Sequence, residues 1–347
     1  MSGELIEEEF QTKEVSIFAL THAVHDTYTG MLPALLPVLI EKFMLSNTAA
    51  GLLSVFLRIP SLLQPLIGRL ADKKNLKFFI VLTPAITGIG MSLLGIAPSY
   101  AFLIFFLLIA GFSSAALHAV APVLGSVYAG NKLGRGMSFW MVGGEMGRAL
   151  GPILVVTAIS YLTLDGLPWL MIGGFLTSVF LYVRLKDVST ILTSKKESPH
   201  WREALRKIRW VMLPMTFLVF SRSMVTATLT TFLPTFLKSE GSSLWVAGAS
   251  LTILEISGMA GAFLAGTLSD RFGRRAMLFT SYIATPILMV LFVQSSSILK
   301  IPLLILLGFF AIAIVPVLMA VVIENTSENR SFANGLYMAL SFALQAL

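Results

Sequence analysis

The chain has 347 residues, of which 56% are hydrophobic and 12% charged, with a mean hydropathy of +0.84 and a net charge of +7. Soluble domains carry about 25% charged residues, so a water-coated fold of this size is excluded and lipid is the main solvent. There is no cysteine, which excludes disulfides, thiolate metal sites and cysteine nucleophiles.

Residues 1–14 are acidic (Glu4, Glu7, Glu8, Glu9, Glu14). They lack the basic start of a cleavable signal and read as a cytoplasmic tail. A membrane span needs about 20 mostly apolar residues. Such runs fall at 15–39, 49–71, 78–97, 101–127, 136–160 and 167–185, giving a first bundle of six spans over residues 15–185. A polar stretch, 186–209, follows as a cytoplasmic linker, and within it Trp201 to Arg209 reads as a short basic helix in the membrane interface. Runs at 210–237, 244–267, 277–296, 301–323 and from 333 onward form a second bundle over 210–347, five spans with the fifth truncated. That eleventh run has about 15 residues, too few to cross, so a twelfth span is expected beyond Leu347. The fold class is an all-α polytopic membrane protein.

Orientation follows from the basic residues. With a cytoplasmic N-terminus, 19 of the 25 Lys and Arg fall on the cytoplasmic side, and Lys42, Lys238 and Lys300 fall opposite. Arg58, Arg148 and Arg222 lie inside spans. This bias accounts for the net charge without nucleic-acid binding and points to a cell inner, or plasma, membrane. The halves also repeat. Leu36-Pro37 ending span 1 matches Leu233-Pro234 ending span 7, Gly68 to Asp72 matches Gly266 to Asp270, and Arg135 to Ser138 is echoed by Arg330 to Ala333, at offsets of 197, 198 and 195. Repeated halves are usual in secondary transporters, whose substrate sites lie between them at mid-membrane.

The run Gly266-Thr-Leu-Ser-Asp270-Arg271-Phe-Gly273-Arg274-Arg275 resembles the loop signature of the major facilitator superfamily. Its first-half copy keeps Gly68, Leu70 and Asp72 but has Asn75 at the second glycine position. Gly143 to Pro152 in span 5 is similar to the glycine-rich motif of antiporter members. His22-Ala-Val-His25-Asp26, Ser61 to Gly68, His118 and the 142–152 run resemble the fosmidomycin resistance group, although Ala119 and Val120 replace the Pro-Glu that usually follows the span 4 histidine. The resemblance implies a major facilitator fold of two six-helix halves, and drug export. Asp72, Gly266, Asp270, Arg271, Gly273, Arg274 and Arg275 would then form a conformational latch, with Asp270 pairing to Arg271 or Arg275.

An ionisable group inside a span costs several kcal/mol unless it faces the bundle interior with a partner. His22, His25, Asp26, Arg58, His118, Glu145, Arg148, Arg222 and Glu255 are such groups. At about 1.5 Å rise per residue, Asp26, Arg58, Arg148, Arg222 and Glu255 share one depth near the midplane. Asp26 and Arg58 match on consecutive helices. Glu145 and Arg148, three apart, pair locally, or Arg148 bridges to Glu255 between the halves. Arg222, the counterpart of His25 by the repeat, suits an anionic substrate group such as a carboxylate or phosphonate. His22, His25 and Asp26 share one helix face and with His118 present four metal-type ligands, though nothing in the spacing requires a metal and none is expected.

These residues point to proton-coupled efflux of a small anionic or amphipathic solute, with Asp26 titrating beside His25 and Arg58 and Arg222 holding substrate charge. Organic-anion uptake would use the same residues. A sensor or scaffold would need neither the charge belt nor the repeated loop. The chain has no Gly-x-Ser-x-Gly, His-Glu-x-x-His or P-loop, so neither an enzyme nor an ATP-driven pump is expected. The expected partners are the bilayer, a small-molecule substrate and protons, with no cofactor, acting as a monomer.

Overall fold

The computed structural model describes residues 10–71, 77–130, 133–185, 201–325, 337, 340–341 and 343–344. Among these residues the regular structure is entirely helical. Eight helices among the described residues are long and apolar enough to cross a membrane. The chain divides into two compact units, Met1–Thr193 and Ser194–Leu347.

In the first unit, prolines cut the leading spans into pieces. Span 1 is two helices, α1 (Thr12–Thr29) and α2 (Leu32–Phe43). Pro33, in the first turn of α2, cannot donate a backbone N–H, and its ring crowds the carbonyl of Thr29. Span 2 is α3 (Asn47–Arg58), a 3-10 turn at Ile59–Leu63 containing Pro60, and α4 (Gln64–Ala71). Span 3 divides at Leu82, ahead of Pro84, into α5 (Lys77–Val81) and α6 (Thr83–Ser92). Spans 4, 5 and 6 are α7 (Tyr100–Ala129), α8 (Leu133–Leu162) and α9 (Met171–Arg184). Their shared apolar core includes Phe18, Ile80, Leu117, Trp140 and Leu181.

Helix α8 lies directly on α1 because its facing residues are glycines. A Cβ at Gly143 would strike the Ala19 carbonyl, and one at Gly144 the His22 ring. A Cβ at Gly147 would strike the Ala23 carbonyl, and one at Gly151 the Thr27 carbonyl. Small residues on one face let backbones approach closely, and in lipid that approach is the main source of helix association.

The second unit contains α10 (Trp201–Ser239), α11 (Leu244–Phe272), α12 (Arg274–Gln294) and α13 (Ser297–Glu324). The basic segment 201–209 is continuous with span 7 and is not a separate interfacial helix. No glycine or proline interrupts it before Pro214, so the helix propagates through. Leu229, Leu233, Leu251, Leu254, Phe292 and Leu307 form its core.

The internal repeat is visible in the packing. In the first unit a Cβ at Gly111 would strike the Leu57 carbonyl, and in the second a Cβ at Gly308 would strike the Leu254 carbonyl. Both positions are displaced by the same 197 residues (111 to 308, 57 to 254). The echo at Arg330 lies outside the described residues.

Gly147→Ala forces α1 and α8 apart, and overpacking of this kind costs about 1–3 kcal/mol. Thermal unfolding in detergent is expected at a clearly lower temperature. Gly125→Ala, where a Cβ meets nothing within 4 Å among the described residues, is expected to leave the midpoint unchanged or raise it.

Candidate functional site

The buried polar residues of α1 gather those of its neighbours. His22, His25 and Asp26 are 4%, 0% and 4% exposed. His22 lies flat against Trp140 of α8, with ring centroids 3.8 Å apart and planes 18° from parallel. Its Nδ1 is 2.8 Å from the Trp140 carbonyl oxygen, and its Nε2 is 3.1 Å from Nε2 of His118 on α7. Nδ1 of His118 is 2.9 Å from the Ser114 carbonyl. The Asp26 carboxylate closes the cluster, 3.3 Å from His22 Nε2, 3.8 Å from His118 Nε2 and 3.4 Å from Arg148 Nη1. Arg148 is also paired with Glu145 on its own helix.

His25 turns to the opposite side, where its Nδ1 is 3.2 Å from Thr87 Oγ1. Thr87 donates to Ser113 Oγ at 2.8 Å, and Ser113 donates to the Thr83 carbonyl at 3.1 Å. With the threonine proton committed to Ser113, His25 must donate through Nδ1. Its buried Nε2 has no hydrogen-bond partner among the described residues.

One expectation is corrected. Asp26 is engaged by Arg148 from α8, not by Arg58 from span 2 as depth matching suggests. Depth fixes a residue along the membrane normal only, whereas the glycine face of α8 decides which helix lies nearest. Of the four metal-type ligands, His22, Asp26 and His118 come within 4.8 Å of one another, while His25 is directed to Thr87. Arg148 beside Asp26 is a fixed cation that opposes a divalent ion there, so the group is better described as a polar cluster. Trp140 escaped the sequence reading, although it occupies the same helical face as Gly144 and Arg148 at spacings of four.

In the second unit, Arg222 of α10 borders a cavity of about 210 Å³ with Ser221, Thr226, Ser281, Tyr282, Thr285 and Phe310. Ser221, Thr226 and Tyr282 donate their hydroxyl protons to the carbonyls of Phe217, Arg222 and Leu218. Toward the cavity they therefore offer lone pairs beside the guanidinium. Glu255 is buried on α11, 7% exposed.

The loop motif is centred on Arg274. Helix α11 ends at Phe272, Gly273 has a φ of +91° that favours glycine, and α12 starts at Arg274. Across this turn Asp270 pairs with Arg274 at 2.5 Å, not with Arg271 or Arg275, which are exposed. Arg274 also bonds Ser269 and reaches Glu324 at the end of α13 at 2.9 Å. Glu324 was not anticipated, since no spacing links it to a loop 50 residues away. Gly266 lies within α11, and Asp72 lies outside the described residues.

The major facilitator superfamily model matches residues 18–347. The chain belongs to the major facilitator superfamily. It is 24% identical over 340 residues to the uncharacterized MFS-type transporter YfnC of Bacillus subtilis, covering 95% of this chain and 83% of that one. It is 21% identical over 335 residues to the fosmidomycin resistance protein of Escherichia coli, covering 95% and 82%. A bacterial homolog of the human lysosomal transporter Spinster superimposes with a TM-score of 0.81 at 17% identity, over 99% of this chain and 81% of that one. The D-xylose-proton symporter superimposes with a TM-score of 0.70 at 17% identity, over 97% and 88%. This major facilitator chain is thus an integral membrane transporter and not an enzyme.

Arg274→Gln removes the contacts to Asp270 and Glu324 and is expected to slow transport with little change in abundance. Arg271→Gln is expected to transport nearly normally. Initial rates normalised to protein in proteoliposomes compare the two.

Proposed function

We propose that this chain is a secondary active transporter that moves a small anionic or amphipathic solute by alternating access, coupled to protons and directed to efflux. The observation that carries the substrate class is Arg222 in its cavity. A guanidinium presents a planar fork that matches a carboxylate or phosphonate. The lone pairs of Ser221, Thr226 and Tyr282 beside it favour a solute that also carries N–H or O–H donors. The volume lies below the roughly 300–1,000 Å³ of drug-sized sites, which suits a small molecule. The likeness to a fosmidomycin resistance protein supports export of a phosphonate-type compound.

Coupling is read from Asp26, a carboxylate buried at the centre of the first unit. Arg274 at the start of α12, held between Asp270 near the end of α11 and Glu324 at the end of α13, supports the latch, because exposed contacts of this kind are made and broken at modest cost. The N-terminus is read as cytoplasmic from the distribution of lysine and arginine.

Proteoliposomes loaded with phosphonates, fosmidomycin among them, and with small carboxylates test this directly under an imposed pH gradient. Uphill movement is expected against the proton gradient for an anionic solute. Asp26→Asn is expected to abolish uphill transport while the protein is still produced. Arg222→Gln is expected to weaken solute affinity at least about tenfold, or about 1.4 kcal/mol. Unchanged pH-driven transport in Asp26→Asn rejects the coupling role, and movement of the solute with the proton gradient selects uptake over efflux.

A further inference from the structure

We propose that His22 and His118 jointly hold one proton between their Nε2 atoms, with Asp26 as its counter-charge, so that the imidazole pair is the place a coupling proton occupies. This rests on the proton-coupled reading above and sharpens it.

The outer nitrogens fix where the ring hydrogens lie. Nδ1 of His22 faces the Trp140 carbonyl at 2.8 Å, and Nδ1 of His118 faces the Ser114 carbonyl at 2.9 Å, closer than the Ser114 hydroxyl at 3.4 Å. A carbonyl only accepts, so each Nδ1 carries a hydrogen. A neutral imidazole has a single N–H, which leaves a bare lone pair on each Nε2. These two lone pairs lie 3.1 Å apart, within hydrogen-bonding range. The approach is a hydrogen bond only when a further proton lies between them, and otherwise it is a repulsion between two acceptors. Moving the proton to Asp26 leaves the same repulsion in place. Adding a second proton would set two imidazolium cations against each other. The geometry therefore has a capacity of one.

The surroundings fit a single positive charge. Asp26 Oδ2 is 3.3 Å from His22 Nε2, and Asp26 Oδ1 is 3.8 Å from His118 Nε2. From α8, Arg148 reaches Asp26 and is itself paired with Glu145. Asp26, with an oxygen facing each Nε2, is the carboxylate that a proton shared between the two rings would meet. His25, one ring beyond His118 on α1, has its centroid 5.7 Å away and bonds Thr87. Among the described residues α6 places Thr87 and no charged group at the cluster, and Arg184 of α9 pairs with Glu14 at the far end of α1. An ordinary buried histidine would use its carbonyl bond and a second donor. Two histidines that each spend their one hydrogen on a carbonyl and then meet nitrogen to nitrogen need a shared proton.

The test is ¹⁵N NMR of histidine-labelled protein reconstituted in liposomes, across a pH series. Bare and protonated imidazole nitrogens resonate far apart. The Nε2 signals of His22 and His118 are expected to share protonated character and to convert to bare nitrogen together, in one step, as pH rises. In His118→Gln, His22 Nε2 is expected to lose that shared character. Two Nε2 signals that stay bare throughout, or that titrate in separate steps, overturn the proposal. So does one equivalent of Zn²⁺ shifting both signals at neutral pH, which would make the cluster a metal site. Transport driven by a pH gradient alongside independent bare nitrogens removes the pair and leaves proton coupling standing. A shared proton in a protein whose transport ignores pH upholds the pair and removes coupling.

Discussion

How close two helices come in lipid is set by the side chains between them, and here one contact has almost none. Gly143, Gly144, Gly147 and Gly151 bring α8 onto the backbone of α1, so that Ala19, Ala23 and Thr27 carbonyls occupy the space side chains would fill. The contacts that α8 makes with His22 and Asp26 follow from that approach. Trp140, four residues before Gly144, is drawn over His22. Arg148, four residues after, is drawn to Asp26. Without the glycine face, a charged aspartate and two histidines inside a hydrocarbon-length helix would each bear the desolvation cost alone.

The two units use one framework for different chemistry. Gly111 on Leu57 and Gly308 on Leu254 are the same contact displaced by 197 residues. By that offset His25 corresponds to Arg222, and Arg58 corresponds to Glu255. The first unit holds a titratable cluster closed over by ring stacking and carbonyls. The second holds a cation at the edge of a cavity lined with hydroxyl oxygens. The packing positions repeat between the units, while the polar groups set among them differ.

Much of this was legible in the chain. The apolar runs gave the helices, and the motif at Gly266 to Arg275 gave the family, because a loop that must turn sharply between two spans admits few residues. Ionisable side chains in apolar runs marked the candidate site, since nothing but a partner sustains them there. What escaped were the partners. Spacing along one helix predicted Glu145 with Arg148, a pair three residues apart. It could not predict Asp26 with Arg148 or Arg274 with Glu324, which depend on how helices are rotated against each other. The proline breaks at Pro33, Pro60 and Pro84 were present in the sequence, but hydropathy averages across them. The continuity of 201–209 with span 7 was missed for a related reason: basic composition suggests an interface, while helix propagation depends on the absence of a breaker.

The central claim is that packing of α8 on α1 makes Asp26 and Arg148 energetic partners. A double-mutant cycle on thermal unfolding in detergent, with Asp26→Asn, Arg148→Gln and the two combined, measures it. Each single change removes one charge from this contact while the other charge keeps its remaining partners, so both variants are expected to lower stability and the double variant to recover part of the loss, a coupling above about 0.5 kcal/mol. Strictly additive losses would contradict it.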